Sequence, residues 1–284
     1  MGRSNLSRTS GSGRYFLTIL APRDLETFNQ LFRMLFESSG KDAPDHFPIS
    51  VHGWRKAGCI VIFIGLGLIA AQSARMGFAG LIVELGQKEV DRWTVFSRPQ
   101  GMREINRVAR YFSDSLDYVP DNPWALEGLG ALDLARMRLS RIPTQAVGYA
   151  WAARLRFRQA LQQRPASPFL WANLALAKLY LDEIDAEFSV ALRNADELGP
   201  WEPTTQGTVL FAGLAAWEKL DSDHRNMLVG VLQRGAVRNS VKMIEIVKSF
   251  GRWDLICGRK GYHSLGDADC RDVAGTAQTG APTK

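Results

Sequence analysis

Between Lys56 and Arg75 the sequence runs AGCIVIFIGLGLIAAQSA, from Ala57 to Ala74, without one charged side chain. As a helix this segment rises roughly 27 Å, close to the hydrocarbon thickness of a bilayer. Its residues are apolar on every face, whereas a helix on the surface of a soluble protein keeps a polar one. Trp54-Arg55-Lys56 and Arg75 supply cations at both ends, where long basic side chains reach back to water. The run therefore predicts a transmembrane helix over residues 57–74 rather than a buried core helix. Residues 1–56 are longer than the n-region of an ordinary signal peptide, although Ala71-Gln72-Ser73 would suit a cleavage site. Lys41, Arg55 and Lys56 before the segment balance Arg75, Lys88 and Arg92 after it, so the positive-inside rule leaves orientation open. Gly65-Leu66-Gly67 has no strand–turn–helix around it and is not a dinucleotide fingerprint.

That anchor divides the chain. Residues 1–56 form an N-terminal arm that opens on MGRSNLSRTSGSGR, a composition that resists burial and predicts disorder. A short amphipathic helix is expected over Asp24–Glu37, where Leu25, Phe28, Leu31, Phe32, Leu35 and Phe36 recur at helical spacing. Its stripe suits a membrane surface, a partner or a local cap over the anchor. Leu6 breaks the myristoylation pattern. Residues 75–100 read as a connecting segment, 101–256 as a helical domain and 257–284 as a C-terminal loop and disordered tail. The net charge is +6, with 35 Lys and Arg against 29 Asp and Glu spread over nearly every segment. A nucleic-acid binder would gather its cations on one face, so no nucleic-acid partner is expected.

From Gly101 to Gly251 apolar residues recur at intervals of three and four, broken by Pro, Gly, Asp and Asn, with no alternating strand pattern. Trp171, Leu174 and Ala175 fill the opening slots of a tetratricopeptide unit, a pair of antiparallel helices. Pro165 fills the exit slot of the unit before, behind Ala153, Phe157 and Ala160. Phe112, Ser115 and Pro120 close a weaker copy, and Leu126, Leu129 and Gly130 open the next. Pro200 closes the Trp171 unit behind Phe188, Leu192 and Ala195, with one extra residue. Small residues let helices approach, Trp171, Phe157 and Phe188 fill the gaps, and the prolines stop each unit. The interval from Gly130 to Ala153, around SRIPTQAVG, is longer than the pattern allows. The expected fold class is all-α: one N-terminal transmembrane helix followed by a degenerate tetratricopeptide-like helical-repeat domain.

Catalytic chemistry is not apparent. Asp182, Glu183, Asp185 and Glu187 crowd one inter-helix turn, where they are expected to cap the next helix and face water. His46, His52, His224 and His263 are dispersed, without metal-ligand spacing, and no G-x-S-x-G or phosphate loop occurs. No catalytic residue, cofactor or metal site is assigned, and the chain is read as a non-enzyme. Of the 3 cysteines, Cys59 lies in the apolar run and reads as a small hydrophobe. Cys257 and Cys270 flank the polar loop GRKGYHSLGDAD, and zinc would lack a fourth ligand there. They are a disulfide candidate in an oxidising compartment and free thiols elsewhere. Partner contact is expected at Asn173 and Tyr180 on the helix opened by Trp171; in the corner Leu198-Gly199-Pro200-Trp201-Glu202-Pro203, Trp201 either packs over the next helix or stands exposed as an interface anchor for a partner.

The run FRQALQQRPASPFLWANLALAKLYLDEIDAEFSVALRNADELGPWEPTTQ resembles the core of the VpsP-type polysaccharide biosynthesis proteins of bacterial exopolysaccharide clusters. AGLAAWEKLD and the pair Cys257 and Cys270 fit more loosely, and the long N-terminal arm departs from the pattern. The resemblance implies a single-pass bacterial inner-membrane protein with its repeats in the periplasm, where a Cys257–Cys270 disulfide is favoured. It implies a non-catalytic scaffold that binds other proteins of a polysaccharide biosynthesis or export assembly. The alternative is a component that binds or modifies the polymer itself, which calls for exposed aromatics flanking a groove with convergent acids.

Overall fold

A computed structural model describes residues 51–96 and 101–257. The chain divides into two units, Met1–Val61 and Ile62–Lys284, and of the first only residues 51–61 are described. The disordered arm, the amphipathic helix over Asp24–Glu37, and Cys270 with the tail all lie outside the described residues.

The described residues form eight α-helices and no strand. They are α1 (Val51–Phe96), α2 (Met102–Tyr118), α3 (Pro123–Leu139), α4 (Pro143–Gln163), α5 (Pro168–Tyr180), α6 (Ala186–Leu198), α7 (Pro203–Ala215) and α8 (Ser222–Ser249). Local chemistry sets their ends. Proline opens α3, α4, α5 and α7, where its fixed φ suits the first turn and its missing N–H costs nothing. Asn122, Ser167, Asp185 and Asp221 accept hydrogen bonds from the freed N–H groups of Trp124, Leu170, Phe188 and His224. Gly251, at φ 65°, ends α8 in the left-handed region that glycine enters without a Cβ clash. Asp182, at φ 55°, takes the same conformation after α5, which aspartate tolerates better than most residues.

The segment read as a connector is helical as far as Phe96. Residues 75–96 continue α1, and Ala79, Val83, Gly86, Val90 and Trp93 recur every three or four residues on the face toward α2. Arg75 Nη2 donates to the Tyr118 carbonyl at 2.9 Å, and Ser115 Oγ donates to the Ala79 carbonyl at 3.0 Å. Buried Phe112 fills the space over Gly86 and Gly128, so α1, α2 and α3 share one small core with Ile105, Val108 and Leu129. A larger core runs from Leu126 of α3 through α8 and ends on Leu255 and Ile256.

Small residues facing large ones recur between successive helices: Gly86 of α1 meets Phe112 of α2, Gly130 of α3 meets Phe157 of α4, and Gly213 of α7 meets Leu228 of α8. The last helix is bent. Asn239 has φ −144° and ψ 53°, outside the helical region, and Met243 beyond the bend packs against Gly235 before it.

Available space decides the sign of a glycine-to-alanine change. A Cβ at Gly130 would lie 2.6 Å from the ring of fully buried Phe157, whereas nothing approaches within 4 Å of one at exposed Gly148. Gly130→Ala is expected to destabilise by about 1–3 kcal/mol through overpacking. Gly148→Ala is expected to stabilise by about 0.5–1 kcal/mol through helix propensity. Thermal unfolding of the full chain in detergent micelles checks both.

Candidate functional site

Helices α5, α7 and the far half of α8 enclose a groove of about 550 Å³, with Arg138 at the end of α3 on its rim. Leu176 and Tyr180 come from α5, four residues apart and therefore on one face. Thr204, Thr208 and Phe211 follow the same spacing on α7, and Asn239, Lys242 and Ile246 complete the wall from α8. The floor is apolar, made by Leu176, Phe211 and Ile246, and the hydroxyls and the Asn239 amide stand around it. Its charged residues are Arg138 and Lys242; among the described residues no carboxylate lines it. Lys242 meets Glu245 only at 3.7 Å, with both side chains more than half exposed. Such a surface offers dispersion contact, hydroxyl and amide hydrogen bonding, and two solvated cations.

Behind this groove sits an ion network that the sequence did not signal. The Lys178 side chain, on α5, is 1% exposed, and its ammonium lies 3.1 Å from Glu183, 2.9 Å from Asp185 and 2.9 Å from Glu187. From α4, Arg154 pairs with Glu183 and Arg158 grips Glu187 through both forks. Three cations and three carboxylates therefore tie α4 to the α5–α6 turn. Burial alone would lower the Lys178 pKa, but hydrogen bonds with Glu187, Asp185 and Glu183 outweigh it and raise the pKa. Burial pushes Glu183 and Asp185 upward, yet Arg154 and Lys178 for the first, and Lys178 and the Phe188 N–H for the second, hold both below the ordinary carboxylate range. The Arg158 hydrogen bond does the same for Glu187, against burial and with help from Lys178. Asp185 caps α6 as the sequence suggested, but Glu183, Asp185 and Glu187 turn toward Lys178 rather than only to water. A second buried charge, Asp133 on α3, is held by Arg136 at 2.7 Å and by Arg156.

The residues singled out from the sequence are dispersed. Phe157, Ala160, Leu174, Ala175 and Phe188 are buried to 1% exposure or less in the larger core. Trp171 is partly buried against that core, and its indole Nε1 donates to the carbonyl of Pro165 at 2.7 Å. Pro165 lies exposed in the α4–α5 turn, and the carbonyl of Pro200 accepts from Gln206 Nε2 at 2.7 Å. Tyr180 lines the groove; Asn173, two turns earlier on the same helix, is half-buried outside its lining. Trp201 is 51% exposed on the α6–α7 turn, with the Arg238 guanidinium 5.8 Å from its ring centre. Cys59 is a free thiol in α1, and Cys257 is the last described residue, so its expected partner is not among them. Buried His224 accompanies the first turn of α8, its Nδ1 2.7 Å from Asp221, and among the described residues no cluster of His, Cys, Asp and Glu is placed to hold a metal ion.

Lys178→Met is expected to destabilise by about 2–4 kcal/mol, since it leaves three converging carboxylates with two arginines. The figure is below that for a fully buried pair because Asp185 is 55% exposed. The carboxylates are held low when folded, so their contribution is present above the unfolded values near 4 and fades as pH falls through them. The raised lysine keeps its contribution at neutral pH and loses it only above its own range near 10. The gap between wild type and Lys178→Met in urea unfolding is therefore expected to stay constant from about pH 6 to 8 and to narrow below about pH 4. No protein-family model and no curated protein matches the chain.

Proposed function

We propose that the chain is a membrane-anchored scaffold whose helical domain binds protein partners in the production or export of an exopolysaccharide. α1 supports the anchor. Its side chains from Ile62 to Phe78 are exposed save Gly65, among them Phe63 at 74% and Leu68 at 65%. Each large apolar side chain is worth roughly 1.5–3 kcal/mol when taken out of water, so lipid is the natural solvent for this stretch. One helix, Gly58–Trp93, is long and apolar enough to cross a bilayer. The proposed span is residues 57–74, in an inner membrane, with the helical domain on the periplasmic side as the VpsP-type resemblance implies.

The alternation of helices supports a degenerate tetratricopeptide-like array. In that register α3, α5 and α7 are first helices of their pairs, and these three, with the far half of α8, line the groove. Such helices form the inner surface of a stacked array, where partners are held. The groove carries the reading: it is mixed in polarity, its aromatics Tyr180 and Phe211 are half-buried, and no carboxylate lines it among the described residues. A polymer-acting site calls instead for exposed aromatics and convergent acids.

Deletion of the gene in its host, with secreted polysaccharide quantified, tests the pathway. Loss of polymer, restored by the wild type but not by Arg138→Glu/Lys242→Glu, is expected; both side chains are exposed, so helicity should be unchanged. Normal polymer in the deletion strain would overturn the pathway, and retention of the purified protein on polysaccharide would favour the polymer-binding alternative. A reporter fused after Lys284 is expected to be active only in its periplasmic form, and cytoplasmic activity alone would overturn the orientation.

A further inference from the structure

The helix layer has two unlike ends, and α1 fixes which of them meets the membrane. α1 runs antiparallel to α2, with Arg75 at the Tyr118 carbonyl, the Phe78 ring stacked on Tyr118 at 6.3 Å, and Ala79 bonded to Ser115. Toward its start from Arg75, as far as Ile62, α1 exposes every side chain; Gly65 has none. The α2–α3 turn lies level with Arg75–Ala79, because Asn122 Nδ2 donates to Ser115 Oγ at 3.0 Å. The α4–α5 turn lies beside it, with Gln163 Nε2 3.2 Å from Asp121 and Arg164 bonded to Glu127 at 2.6 Å.

These turns carry exposed aromatics. Phe78 is 58%, Tyr118 42% and Trp124 55% exposed, and the Arg164 guanidinium stacks 3.3 Å from the Trp124 ring centre. The headgroup zone adds about 6 Å to each side of a ~30 Å hydrocarbon core, or about four residues of helix rise. Counted from Ala74 that zone reaches Phe78, the level of Tyr118. Amphipathic rings concentrate at this depth, and arginines there meet phosphate oxygens. At the other end of the layer, the α5–α6 turn holds Asp182, Glu183 and Asp185 in ion pairs with Lys219, Lys178 and Arg154.

Resting on the reading that residues 57–74 span the bilayer, we infer that the α2–α3 and α4–α5 turns seat in the phospholipid headgroup region of that same bilayer. Trp124 on Arg164 is the anchor, and Phe78 and Tyr118 flank it. The occupant is lipid rather than a protein because α1 is continuous from the span into this layer and its clamp to α2 leaves no hinge between them.

The test uses the full chain, labelled with 5-fluorotryptophan, in nanodiscs of phosphatidylethanolamine and phosphatidylglycerol containing a gadolinium-chelate headgroup lipid. Trp124→Phe and Trp151→Phe assign two fluorine resonances. Trp151 stands about 18 Å further along α4 from the turn, at about 1.5 Å per residue. The Trp124 resonance is expected to broaden several-fold more than that of Trp151. Equal broadening in a protein that resists alkaline carbonate extraction would overturn the headgroup contact while leaving the span intact. A protein that carbonate extracts would overturn the span, and the contact with it. A Trp124 resonance shielded only after a second protein is added would overturn lipid as the occupant.

Discussion

Phe112 sits between two glycines, Gly86 on α1 and Gly128 on α3, and a Cβ at either would press into its ring. With 1% of its surface exposed, this one side chain fills the gap between three helices, and it does so because neither neighbour has a side chain of its own. The contact joins two kinds of structure. On one side is a helix whose first stretch is apolar and exposed, on the other a layer of helices with its own cores. The bonds from Arg75 to Tyr118 and from Ser115 to Ala79 hold the same interface at its upper edge. Everything beyond α2 is oriented by that interface.

Helix boundaries were legible because they are written locally. Prolines at 123, 143, 168 and 203, with capping side chains at Asn122, Ser167, Asp185 and Asp221, are properties of single positions. The helix over 75–96 was not legible in the sequence for a physical reason. Glu84, Lys88, Glu89, Asp91 and Arg92 dilute its apolar residues, so it resembles a linker. Those charges occupy the solvent face, and two of them, Lys88 and Glu84, pair four residues apart as a helix allows. The inward spacing of Ala79, Val83, Gly86, Val90 and Trp93 was the signal present but not weighed.

Lys178 was invisible for the opposite reason. A lone lysine in an apolar helix reads as a side chain that snorkels to water. Here its stem crosses the core and its ammonium meets carboxylates from the following turn and helix, an arrangement that depends on how α6 returns against α5. The acids were legible as a cluster; their cation was not, because the pairing is tertiary. Tyr180, singled out from its place on a helix face, lines the groove, whereas its neighbours there, Asn239 and Lys242, lie some sixty residues later and only the fold unites them.

Rigidity is distributed unevenly as a result. The charged network braces the α4–α5–α6 side, and the removal of any one of its ions exposes the others to an uncompensated field. Beside α5 and α7, the groove's wall is the far half of α8, which follows the only non-helical residue within a described helix, Asn239. A bend at a residue outside the helical region marks where this helix departs from a straight course, as α1 does not at Arg75. The groove joins a braced wall, α5, to one whose far half packs through Met243 on Gly235, through Ile246 and Val247 in the larger core, and through Phe250 on Phe211. In the scaffold proposed above, specificity for a bound segment would come from the braced side, where Tyr180 and Leu176 line the groove, and accommodation of its bulk would fall to the side beyond Asn239.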